Sequence, residues 1–157
     1  RVDCAHPDLA RPLSLADALA HSCNHFFVRL AERLDRHRLA ATLRRLSDGH
    51  ASPLTEAPLP LVVLGLEGPR QGLRGWLRAV IAATHDDGDH EGHGAVLRSA
   101  LARAVSEGTA TALRRWADVI FAKTGTTLSE GVEDGRVVAW RPEIGEAVVV
   151  RAPGASG

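Results

Sequence analysis

Methionine is absent from all 157 residues, so Arg1 is not a translation start and the chain reads as a processed product or a piece of something longer. Lysine is almost absent too: Lys123 is the only one, and the other 18 of the 19 basic residues are arginine. No apolar run approaches the length of a membrane span, and no signal-peptide pattern opens the chain. Neither sign of charge is in excess, with 19 basic and 19 acidic residues and a pI near 7.3. That balance gives no electrostatic case for nucleic acid or for an anionic membrane surface. Two cysteines, Cys4 and Cys23, are too few for a disulfide framework, and nothing local forces them together.

What is present suits one globular domain over residues 1–157, since 45% hydrophobic content supplies a core. Residues 1–110 read as mainly helical. Ser14 followed by Asp17 makes a capping-box start to "LADALAH". Phe27, Leu30, Ala31 and Leu34 recur at helical spacing, and Asp35 can cap a further helix with a Leu39, Leu43, Leu46 stripe ending near Gly49. The run "LVVLGL" fits either a short strand or a buried helical turn. Helices are expected again from Leu73 through Ile81 and from Leu97 through Val105. Residues 118–152 change character: "DVIFAKTGTT", "RVVAW" and "EAVVVRA" are short, β-branched and bounded by turn residues, as strands are. "RPEIGE" has hairpin length, so the last two should pair antiparallel. Helices first and an antiparallel sheet last make an α+β class.

Two stretches can carry chemistry. Along Ala122-Lys123-Thr124-Gly125-Thr126 a cation, two hydroxyls and a glycine share one strand, a set that suits an extended substrate bearing a carboxylate. An ordinary edge strand, with lysine guarding against aggregation, explains the same letters. In "HSCNHFF", Ser22 and Asn24 stand at a break between helical patterns, where both residue types also serve as caps.

Taken together, "SCN" (Ser22-Cys23-Asn24) and "KTG" (Lys123-Thr124-Gly125) resemble the S-x-N and K-T-G motifs of the penicillin-binding transpeptidases and their serine β-lactamase relatives, in that order. The flanks are similar as well: "ALAHSCNHFF" runs from a helix through the motif into aromatics, and "GTA" precedes "KTGTT" by some fifteen residues, as it does in the family. The resemblance covers residues 14–34 and 104–151.

It implies a partial β-lactamase/transpeptidase-like fold and a set of roles. Ser22 would relay a proton between the catalytic lysine and the leaving amine. Asn24 would bind the substrate's peptide carbonyl. Lys123 would sit close to Ser22 and favour a substrate carboxylate, which Thr124 and Thr126 would meet with their hydroxyls. The Thr126 amide would form half of an oxyanion hole, and Gly125 would leave space for the acyl chain. The implied partners are peptidoglycan stem peptides and β-lactams, with no nucleic acid and no cofactor. The implied location is extracytoplasmic, with membrane contact only through a possible upstream anchor.

One family mark is missing. Ile120, not serine, stands three places before the only lysine, so the chain holds no S-x-x-K. In the family that nucleophile motif precedes S-x-N, and the family's C-terminal sheet-packing helix would follow Gly157. The chain alone is therefore expected not to be acylated. A penicillin-sensing or structural descendant, or a β-lactamase, shares the same two motifs.

Two other clusters stand apart. "HDDGDHEGH" gathers His85, His90 and His93 with four carboxylates but matches no fixed ligand spacing, so no metal is expected there. Trp76, Trp116 and Trp140 read as core or groove-lining aromatics, with Trp140, on a strand beside the motif strand, the one expected to see substrate if any does.

Overall fold

A computed structural model describes residues 4, 6, 8, 10–46, 54, 56–66, 73–84, 92–129 and 132–154; of residues 46, 73, 76, 127–129, 132 and 133 it describes the backbone alone. The order of elements is α1 (Leu15–Ala20), α2 (Asn24–Ala31), α3 (Arg36–Leu46), α4 (Leu59–Val63), α5 (Leu73–Thr84), α6 (His93–Ser106), a 3₁₀ turn (Thr111–Trp116), then β1 (Phe121–Ser129), β2 (Val132–Arg141) and β3 (Glu146–Pro153). Helices followed by a three-stranded antiparallel sheet make the class α+β, as expected. No helix among the described residues is long and apolar enough to cross a membrane. The chain divides into two compact units: residues 1–7 with 23–88, and 8–22 with 89–157.

In the first unit α2 packs on α4 and α3 on α5. The first half of the ambiguous "LVVLGL" run, Leu61–Val63, ends helix α4, which a proline-led first turn starts without a side-chain cap, and Leu64–Leu66 turn out of it. Asp35 Oδ1 accepts from the Arg38 amide at 2.8 Å and so caps α3. Arg36 donates to the carbonyls of Leu54 (2.8 Å) and Ala57 (2.9 Å), which ties the proline-rich connection to α3. α2 stops at Ala31, leaving Leu34 beyond the helix its spacing suggested. Gly49 and residues 85–91, including His85 and His90, lie outside the described residues, as does the Trp76 side chain.

The second unit is built on close contact between small side chains. Ser14 and Asp17 form the expected capping box at the start of α1. Ala18 and Ala20 of α1 and Ala100 and Ala104 of α6 are fully buried where those helices pack. Asp17 does more than cap. Its carboxylate accepts from both Arg11 terminal nitrogens (2.6 and 2.7 Å), from Arg103 (2.7 Å) and from the Ser14 hydroxyl (2.7 Å). Hydrogen bonds from Arg11 and Ser14 hold its carboxyl well below the usual range. The buried acid is thereby compensated, and α1 is fixed to α6.

Strand order in the sheet is β1-β2-β3, with Ala122 opposite Ala139 and Lys123 opposite Val138. Val105 of α6, Ala110, Ala122 and Ala139 form the core between helix and sheet. Beyond them the same sheet face opens. Trp116, Val119, Ile120, Ala139 and Val148 line an apolar groove of about 610 Å³, with Val148 and Val150 more than half exposed. The β2–β3 hairpin turns at Gly145, whose φ of +67° explains the glycine.

Candidate active site

The site is assembled at the turn after α1 and on strand β1, both in the second unit. Ser22 ends the α1 segment with a φ of +53°, the left-handed region that L-residues rarely adopt. Its amide donates to the Leu19 carbonyl at 3.3 Å, which closes the turn. A serine held in this conformation costs of order 1 kcal/mol, and such strain concentrates at functional positions.

The "GTA" triplet, residues 108–110, sets the height of this turn above the sheet. A Cβ on Gly108 would lie 2.1 Å from the Ala20 carbonyl oxygen and 2.8 Å from the Ala104 Cα, so only glycine fits. Next to it the Thr109 amide donates to that same Ala20 carbonyl at 3.1 Å. Ala110 donates to Ala104 at 2.8 Å and enters the core. The end of α1, which Ser22 continues, is thus held by the turn that precedes β1.

From β1, Lys123 Nζ donates to Ser22 Oγ at 2.7 Å across 101 residues of chain. It also donates to the Thr124 carbonyl at 2.6 Å, which lays the ammonium along the strand backbone. Burial pushes the Lys123 pKa down to about 8. A lysine tuned this way keeps its charge near neutral pH yet gives up a proton within reach of it. Its two acceptors leave the Ser22 hydroxyl proton available for another acceptor. The pair can therefore present positive potential to an anion and move a proton through Ser22.

The remaining expected residues are placed differently from one another. Thr124 departs from expectation. It is 7% exposed and its hydroxyl donates to Thr109 Oγ1 at 2.7 Å, so it braces β1 against the "GTA" turn rather than offering itself to a carboxylate. Strand alternation is the reason, since Thr124 shares the core-facing side with Ala122. Thr126 is on the same side but further along, and exposed. A Cβ added at Gly125 would meet none of the described atoms within 4 Å, so packing does not dictate glycine there. Among the described residues β1 pairs with β2 alone, so its other edge could receive an extended peptide. Asn24 is half-buried as the first residue of α2, in the first unit.

Among the aromatics, Trp140 is 3% exposed and packs edge-to-face on Phe121, centroids 5.6 Å apart, so it is a packing residue. Trp116 lines the apolar groove under the Arg115 guanidinium, 3.7 Å from its ring. Three features escaped the sequence reading. The second role of Asp17 depends on arginines 6 and 86 residues away. The Thr109–Thr124 bond depends on strand facing. The Cys4–His6–Cys23 cluster had a legible sign, since Cys-x-His occurs twice, at 4–6 and 23–25. No protein-family model and no curated protein matches the chain.

Proposed function

We propose that the chain is the portion of a penicillin-binding transpeptidase-type domain that carries the S-x-N and K-T-G motifs, with a partial β-lactamase/transpeptidase-like fold. Its substrates are acyl-D-Ala-D-Ala stem peptides of peptidoglycan, and β-lactams are their mimics. The single observation that carries this reading is the 2.7 Å contact between Ser22 Oγ and Lys123 Nζ, which joins the two motifs.

The chemistry follows from the pair. A serine outside this chain attacks the carbonyl of the penultimate D-Ala, and the peptide C–N bond breaks. The proton released by the nucleophile reaches the departing D-Ala amine through Ser22, whose oxygen the Lys123 ammonium polarises. The substrate's terminal carboxylate meets the Lys123 ammonium while its backbone lies along the edge of β1 away from β2. The apolar sheet face around Val148 and Val150 is the one that the family's C-terminal helix would cover. The reaction belongs outside the cytoplasmic membrane, where stem peptides are.

Labelling the full-length product of this reading frame with a fluorescent penicillin, then mapping the labelled peptide, tests the proposal. An ester on an S-x-x-K serine preceding Ser22, abolished by Lys123→Ala, is the expected result. No adduct on a protein with that serine intact overturns it, and an adduct on Ser22 itself replaces the relay role by that of nucleophile.

A further inference from the structure

Away from Ser22 and Lys123, the first unit brings three soft donors together. The ligand atoms of Cys4, His6 and Cys23 all lie within 4.8 Å of one another. We propose that they bind one zinc ion, which pins Cys4 and His6 to the first turn of α2.

The geometry suits a metal. Cys4 Sγ and Cys23 Sγ are 3.6 Å apart. A disulfide needs about 2.05 Å. Two thiolates on one tetrahedral zinc, with bonds of about 2.3 Å, stand roughly 3.75 Å apart, close to the spacing here. The donor set has no carboxylate, which disfavours calcium and magnesium, and two sulfurs with an imidazole match the borderline-soft preference of zinc.

The surroundings favour thiolates as well. Cys23 is the N-cap of the eight-residue helix α2 and is 3% exposed, so its sulfur sits at the positive end of the helix. The His25 amide donates to Cys4 Sγ at 3.4 Å, the kind of N–H···S bond that supports metal-bound thiolates. Three protein ligands leave a fourth corner for water or a small anion. Spacing contributes too: the Cys-x-His of residues 4–6 lets one short segment supply two ligands to one point.

The test uses the full-length protein without a histidine tag, purified under reducing conditions and dialysed against zinc. One zinc per chain by atomic emission is expected, and cobalt in its place should give a thiolate-to-metal charge-transfer band. His6→Ala and Cys4→Ser, with helix content checked by circular dichroism, should weaken zinc binding by more than the roughly 10–100-fold that losing an outer-shell partner costs. A zinc content well below one with no cobalt band overturns the proposal. So does an intact mass two hydrogens light, from a Cys4–Cys23 disulfide in protein taken directly from cells, and so does unchanged affinity in both folded variants. Each readout is independent of penicillin labelling.

Discussion

Gly108 and the carbonyl of Ala20 are in such close approach that a methyl group on the glycine would stand 2.1 Å from the oxygen. The obstruction is backbone, from the end of α1 and from Ala104 of α6, so neither neighbour can swing aside. Gly108→Ala should destabilise the second unit by about 1–3 kcal/mol through overpacking, measured by urea denaturation. It should also lower penicillin labelling of the full-length protein, because Ser22 continues the displaced end of α1. Unchanged stability would mean that the two helices do not meet as described.

Thr109, itself exposed, and the buried Thr124 share one hydroxyl bond of 2.7 Å. Thr109→Val strands the Thr124 hydroxyl and should cost about 1–3 kcal/mol. Thr109→Val with Thr124→Val removes both partners and should cost clearly less than the two single changes together. A double-mutant cycle in urea measures the coupling. Additive losses would show that the hydroxyls do not bond.

Ser22 separates conformation from chemistry. Its φ of +53° suits glycine. Ser22→Gly and Ser22→Ala both remove the hydroxyl, yet the glycine variant should be the more stable by about 1 kcal/mol. Both should lose penicillin labelling of the full-length protein to a similar extent. A labelled glycine variant would contradict the relay role.

Lys123 should leave its mark on the pH dependence of stability. Its pKa is lowered by burial to about 8 in the folded chain, against about 10.4 when unfolded. Below pH 8 both states are charged and the folded one bears the desolvation cost. Between pH 8 and 10.4 the unfolded chain binds more protons, so unfolding free energy should rise with pH, by up to about 3 kcal/mol. Lys123→Met should flatten that rise, as urea midpoints across the window would show. The same slope in the variant would assign it to other groups.

The parts of this molecule that were legible in sequence are those governed by near neighbours. Ser14 with Asp17, Asp35 before α3, and the turn at Gly145 are local hydrogen-bond or backbone preferences, and each appears where the letters place it. The three strands follow from β-branched runs between turn residues. The run at α4 was undecidable because five residues do not distinguish a period of 2 from one of 3.6. Which way Thr124 faces depends on the register of β1 against the helix layer, and one residue of slip would exchange it with Lys123. The left-handed turn at Ser22 is equally silent in sequence, because serine gives none of the warning that glycine does. The approach of Cys4 to Cys23 depends on the path of the chain before α1.

The lone lysine makes the most direct test possible. With ¹⁵N-labelled lysine the chain has one ammonium to observe, that of Lys123. Its resonance should titrate near pH 8, move in Ser22→Ala, and shift on addition of an acyl-D-Ala-D-Ala peptide but not of the L,L isomer. A resonance that ignores both Ser22→Ala and the D,D peptide would contradict a shared substrate site at Ser22 and Lys123.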